Sequence, residues 1–144
     1  MKTVQLFTDG ACRGNPGPGG WGSIIRYNNF EKELSGAEPN TTNNRMEITA
    51  VIMGLSTLKE PCNVQLYSDS QYVCNALSKG WAKKWQKNNW MRTKTEPALN
   101  ADLWEKLLTL CKTHNVSVHW VKGHAGHPEN ERCDSLAVNA INKL

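Results

Sequence analysis

The sequence predicts an α/β protein built on a mixed five-stranded sheet, an antiparallel hairpin set joined to parallel strands, flanked by helices. Three observations carry that expectation. Strand-like runs gather up to Ser35 and thereafter alternate with helix-patterned segments. Two of the runs, Val4-Gln5-Leu6-Phe7-Thr8-Asp9 and Val64-Gln65-Leu66-Tyr67-Ser68-Asp69, are nearly the same hexapeptide sixty positions apart, and each closes on an aspartate. The length of 144 residues, 39% of them hydrophobic and 21% charged, is that of one ordinary globular domain with a core of its own, residues 1–144.

The first strand is Val4 to Asp9. A glycine-rich turn, Gly10 to Gly20, leads to a second strand over Trp21 to Tyr27, and Asn28-Asn29 turns the chain into a third near Glu31 to Ser35. A helix follows, with Asn44 as its N-cap, Glu47 three residues on, and an apolar stripe of Val51, Ile52, Leu55 and Leu58. Pro61 ends it, and the second aspartate strand begins. Two short helices are expected from Gln71 to about Lys87, then an irregular segment through Pro97. Asp102 to Lys112 reads as a helix, Val116 to Val121 as the fifth strand, and Pro128 opens a last helix striped by Cys133, Leu136, Ala137, Ala140 and Ile141. Trp104 and Trp120 read as core residues.

Composition excludes several classes. No apolar stretch is long enough to span a membrane, and Met1-Lys2 runs straight into a strand, so no secretory leader is expected. Five scattered cysteines without a Cys-x-x-Cys pair read as reduced thiols of a cytoplasmic protein. The net charge of +4 is uneven. Lys79, Lys83, Lys84, Lys87, Arg92 and Lys94 follow one another with no acid until Glu96, and without them the balance turns negative. Trp81, Trp85 and Trp90 are interleaved with these cations, a combination suited to phosphates and to flat sugar or base surfaces. The competing reading is that the tryptophans anchor a small helix to the body.

Were the two aspartate strands parallel neighbours, Asp9 and Asp69 would lie about 5 Å apart at one end of the sheet. Carboxylates that close repel unless a cation sits between them. Glu47 and Asp134 are the other candidate ligands, although Glu47 could be completing a capping box and Asp134 could be a solvated acid of an early helical turn. Gly17 to Gly22 matches G-x-G-x-x-G but precedes a strand, so it is no dinucleotide fingerprint, and no P-loop lysine is present. His124, His127 and Cys133 lack the spacing and the thiolate pair of a zinc site. His124, in a glycine-rich loop after the fifth strand, suits proton transfer near a carboxylate cluster.

Taken together, Phe7-Thr8-Asp9-Gly10, Asn15 to Gly20, Thr42-Asn43-Asn44-Arg45-Met46-Glu47, Ser68 to Val73, Trp120 to His127 and Asn130 to Asp134 resemble the type 1 ribonuclease H family, in order and over almost the whole chain. The tryptophan-and-lysine segment resembles the basic protrusion of its bacterial members, and no hybrid-binding module is expected ahead of the domain. The resemblance implies endonucleolytic cleavage of the RNA strand of RNA/DNA hybrids with two Mg²⁺ ions, Mn²⁺ being a possible substitute. Water would attack the phosphodiester and leave 5′-phosphate and 3′-hydroxyl ends. It further implies metal-binding roles for Asp9, Glu47, Asp69 and Asp134, and a catalytic role for His124. Hybrid contacts are implied for Gly10, Cys12, Asn15, Asn43, Asn44 and Gln71, and a DNA phosphate contact for Thr42. On the protrusion the implied contacts are Trp81, Lys83, Lys84, Trp85, Lys87 and Trp90. A monomer without an obligate protein partner is expected. Two alternatives stand beside it: a binding module of this fold that does not cut, disfavoured by four intact acids, and another nuclease of the same broad fold, disfavoured by the amide set and the protrusion.

Overall fold

The computed structural model describes residues 1–122 and 127–144. Its elements are β1 (Lys2–Cys12), β2 (Gly17–Tyr27), β3 (Phe30–Thr41), α1 (Asn43–Thr57), β4 (Cys62–Ser68), α2 (Gln71–Ser78), α3 (Trp81–Lys87), α4 (Ala101–Thr113), β5 (Asn115–Trp120) and α5 (Pro128–Asn142). The sheet order is β3-β2-β1-β4-β5. β1, β2 and β3 pair antiparallel, while β4 pairs parallel with both β1 and β5. The expected mixed sheet is therefore present.

Strand alternation decides which helix covers which face. On β2, Trp21 packs with Met46 and Ala50 of α1, and the Ser23 hydroxyl donates to the Ala50 carbonyl at 2.6 Å. The intervening positions face α5: Ile24 packs with Phe7 and Cys133, and a Cβ on Gly20 would lie 2.3 Å from the Ala137 carbonyl oxygen. Glycine there lets α5 approach the strand backbone. The principal core lies on the α1 face, where Leu6, Val64 and Leu66 of the sheet meet Ile48, Val51 and Leu55 of α1 and Trp104 and Leu107 of α4.

Several boundaries differ from the sequence expectation. Gly17 to Gly20 belong to β2, leaving only residues 13–16 for the turn, and β3 runs on to Thr41. Helix α1 is capped by Thr42, whose Oγ1 accepts from the Arg45 N–H at 3.2 Å; Asn44 lies inside the first turn. The 28–29 hairpin turn, the two short helices and Pro128 in the first turn of α5 stand as expected, with Asn28 at φ 54°. Trp104 is fully buried, but Trp120 is 47% exposed, its indole N–H donating to the Asp69 carbonyl at 3.1 Å. The end of an edge strand offers the ring too little cover to bury it.

Candidate active site

The repeated hexapeptides are direct partners. Val4 pairs with Val64, Gln5 with Gln65, Leu6 with Leu66 and Phe7 with Tyr67, so equal positions sit side by side and the chain delivers Asp9 and Asp69 to the same sheet end. Helix α1 crosses that end because Gly10 allows it: a Cβ there would lie 2.6 Å from the Glu47 nitrogen. One carboxylate oxygen from each of Asp9, Glu47 and Asp69 lies within 4.8 Å of the others. Asp134 is outside that tight group but lines the same open cleft of about 400 Å³, together with Gly10, Asn43, Asn44, Gln71 and Tyr72.

The Gly10 N–H is the fixed donor of the cluster, 2.9 Å from both Asp9 Oδ1 and Glu47 Oε1. Glu47 is thus turned to the cluster and completes no capping box. The remaining oxygens, Asp9 Oδ2 and Glu47 Oε2, are buried without a hydrogen-bond partner. Burial, and then the neighbouring Asp69 charge, push the Asp9 carboxyl up to about 7. Burial and the Asp9 charge likewise hold the Glu47 carboxyl well above its ordinary range. Buried carboxylate oxygens that lack donors and repel one another are the donor set of a hard divalent cation, and these residues fit Mg²⁺ or a similar ion.

Around the acids the amide-bearing residues converge. Asn15 Oδ1 accepts from the Asn43 N–H at 2.8 Å, tying the β1–β2 turn to the start of α1. Thr42 caps that helix, Asn43 and Asn44 open it, and Gln71 opens α2 behind the Ser70 cap. Cys12, at the end of β1, keeps its thiol 3.5 Å from the Thr41 carbonyl. His124 lies outside the described residues.

The basic segment forms α3 and the stretch after it, and the cleft is lined by none of its described residues. Its tryptophans divide. Trp81 is 39% exposed, with the Lys79 ammonium 5.5 Å from its ring centre. Trp85 and Trp90 pack on the core, Trp85 edge-on to Trp104 at 6.4 Å. The anchoring reading therefore holds for these two. Lys83, Lys84 and Lys87 are exposed.

Sequence reading assigned no role to Asn130. Its buried amide donates to the Thr8 carbonyl at 3.3 Å and to the Tyr67 carbonyl at 3.1 Å, clamping the first turn of α5 onto β1 and β4 just before their aspartates. The available signal was its place one helical turn ahead of Asp134.

A sheet of this order, with carboxylates gathered at the ends of β1 and β4 and on the helices beside them, defines an α/β protein with a candidate divalent-cation site beyond the carboxyl ends of its strands. The family model for RNase H matches residues 1–142. Over 140 residues the chain is 66% identical to the Ribonuclease H of Desulforamulus reducens, covering 97% of this chain and 88% of that one. It is 30% identical to LC9-RNase H1, a type 1 RNase H with the type 2 active-site motif, with a TM-score of 0.88 over 99% of this chain and 74% of that one. Its fold is also shared with LC11-RNase H1, solved in complex with an RNA/DNA hybrid, at 24% identity and a TM-score of 0.74, covering 97% of each chain. The chain belongs to the ribonuclease H family, whose members are nucleases acting on RNA.

Proposed function

We propose that this chain is an endonuclease that hydrolyses the RNA strand of RNA/DNA hybrids, leaving 5′-phosphate and 3′-hydroxyl ends. The observation that carries the reading is the trio of buried Asp9, buried Glu47 and half-buried Asp69, one oxygen of each within 4.8 Å of the others, with Asp9 Oδ2 and Glu47 Oε2 lacking any donor in an amide-lined cleft. Asp9, Glu47, Asp69 and Asp134 would hold two Mg²⁺ ions, or Mn²⁺ in their place, which when bound lower the pKa of the attacking water and neutralise charge on the leaving oxygen.

The protein's own groups supply orientation. The Gly10 N–H fixes one oxygen each of Asp9 and Glu47. The side-chain amides of Asn15, Asn43, Asn44 and Gln71, with Gly10 and Cys12 beside them, present donors and acceptors to the 2′-hydroxyl of the RNA strand in its wide minor groove. Thr42 holds a phosphate of the DNA strand. Trp81, with Lys83, Lys84 and Lys87, meets the same strand farther along, while Trp85 and Trp90 hold α3 and its flank in place. Contacts to backbone and sugar carry no base sequence, so little sequence preference follows. His124 moves protons or releases product. The protein acts as a single-domain monomer of the cytoplasm, and among the described residues no helix is long and apolar enough to cross a membrane.

The test is a gel assay on end-labelled RNA/DNA, RNA/RNA and DNA/DNA duplexes of one sequence, each with Mg²⁺ and with EDTA. Internal cuts confined to the RNA of the hybrid and dependent on metal are the expected outcome. Tight hybrid binding without cleavage would make the protein a binding module instead.

A further inference from the structure

The two edges of the sheet are treated differently. β3 carries Glu31, Lys32, Glu33, Glu38 and Pro39, and its register with β2 is broken between Gly17 and Gly19. Charge, proline and bulges are how sheets keep foreign strands from adding to an edge. β5, the opposite edge, has none of these: it reads Asn-Val-Ser-Val-His-Trp, and its register with β4 runs unbroken from Asn63–Asn115 to Ser68–Trp120. Among the described residues only β4 hydrogen-bonds to the main chain of 116–120, so the outer row of N–H and C=O groups is open.

Under one face of this strand lies a cavity of about 380 Å³, walled by Val116 and Val118 of β5, Leu77 of α2 and Leu108 and Cys111 of α4, with Lys83 of α3 exposed at its mouth. A second hollow of about 200 Å³ continues from it, sharing Lys83, Leu108 and Cys111 and adding Lys87 and Lys112. Neither hollow is lined by an acid. A pocket with aliphatic walls and a part-polar lining, three lysines and an unpaired strand edge meet in one place.

We propose that the β5 edge is a docking site for an extended acidic peptide segment, which adds a sixth strand to the sheet. The added strand would lie about 4.8 Å from β5, its N–H and C=O groups in register with the open row. On the face above the cavity, alternate side chains point inward: an aliphatic one fills the space between Val118 and Leu108, and carboxylates on either side of it meet Lys83, Lys87 and Lys112. The lysines select acidic over basic segments, and the strand edge selects peptide over nucleic acid, whose backbone has no N–H groups to offer. A second copy of this chain would bring like charges together there.

The test is fluorescence anisotropy on the intact chain with a labelled hexapeptide of two aspartates, two isoleucines and two glutamates, in that order. Saturable binding is expected, with amide NMR signals of residues 116–120 shifting on titration. N-methylation of alternate residues, in the phase that faces β5, should weaken binding by about tenfold or more, since it removes the main-chain pairing. Exchanging the acids for lysines should do the same. Lys112→Glu, on the exposed side of α4, should weaken the parent peptide by about fivefold with hybrid cleavage unchanged. Equal binding of both N-methylated phases, or indifference to Lys112→Glu, would overturn the proposal. So would a protein dimer that the peptide leaves intact.

Discussion

The side-chain amide of Asn130 donates to the main-chain carbonyl of Thr8 at 3.3 Å, joining α5 to the residue immediately before Asp9. The same amide reaches the Tyr67 carbonyl two residues before Asp69, and Asp134 follows one turn later on the helix. One small side chain thus ties together the three elements that carry three of the four candidate metal ligands. In Asn130→Ala both strand carbonyls lose their donor, a loss of about 2 kcal/mol in stability. The Mg²⁺ concentration for half-maximal cleavage should also rise about tenfold, as happens when groups that orient metal ligands are removed. Thermal melting and a Mg²⁺ titration check the two effects separately. A lowered melting point with an unmoved Mg²⁺ midpoint would reduce Asn130 to a scaffold residue.

Gly10→Ala tests how closely α1 must approach β1. The new methyl would sit 2.6 Å from the Glu47 nitrogen and 2.8 Å from the Met46 carbonyl carbon, both main-chain atoms that cannot rotate away. Helix α1 must shift, taking Glu47 with it. Overpacking of this kind costs about 1–3 kcal/mol. The urea midpoint should fall accordingly, and cleavage should drop by more than the loss of folded protein explains.

The sequence-level reading succeeded where side chains carry a pattern. Asp9 and Asp69 were legible as neighbours because an alternating strand repeated nearly residue for residue leaves one register, the one observed. It failed where side chains are missing or where the partner is remote. Gly17 to Gly20 have no side chains to alternate, so the early part of β2 read as turn, although Gly20 is where α5 meets the strand. Thr42 and Asn44 are both good caps, and only the path of the preceding strand decides between them. The clamp made by Asn130 spans 122 positions and leaves no local signature. Trp120 was misplaced because burial at a sheet edge depends on what covers it, which strand periodicity does not record.

The tryptophans of the basic segment should separate by experiment as they do in space. Trp81→Ala, combined with Lys87→Ala, should weaken hybrid binding and flatten its salt dependence while leaving the melting temperature and the turnover at saturating hybrid nearly unchanged. Trp85→Ala should behave in the opposite sense, lowering the melting temperature through its lost packing on Trp104 and affecting the hybrid only secondarily. Filter binding across a salt series, beside differential scanning calorimetry, reads both. Equal melting losses in the two variants would refute the division.

Asp9→Asn removes one charge from the trio and keeps its size. Cleavage of the hybrid should fall below detection, because the cluster loses a hard anionic ligand, while hybrid affinity measured in EDTA stays within about twofold, since the amide set and α3 are untouched. Single-turnover assays and binding isotherms on the same preparation decide it. Full activity in this variant would remove Asp9 from the metal site.

The metal-free protein should lose stability as pH rises through neutrality. The Asp9 carboxyl titrates from an ordinary value of 3.8 in the unfolded chain to about 7 in the folded one, and Glu47 moves in the same direction. Between those limits the folded state binds more protons than the unfolded state, so the stabilising contribution is complete below about pH 4 and is lost as pH climbs through about 7. The cause is burial first and carboxylate repulsion second, and a bound cation offsets both. Melting temperatures in EDTA should therefore decline from pH 5 to pH 8. Millimolar Mg²⁺ should raise the melting point more at pH 8 than at pH 5, because ligand binding stabilises only the form that holds it. Asp9→Asn should flatten the decline and blunt the response to Mg²⁺. A wild-type melting curve that rises over the same range in EDTA, or a Mg²⁺ effect larger at the acid end, would show that the cluster is not strained by charge in the way its geometry requires.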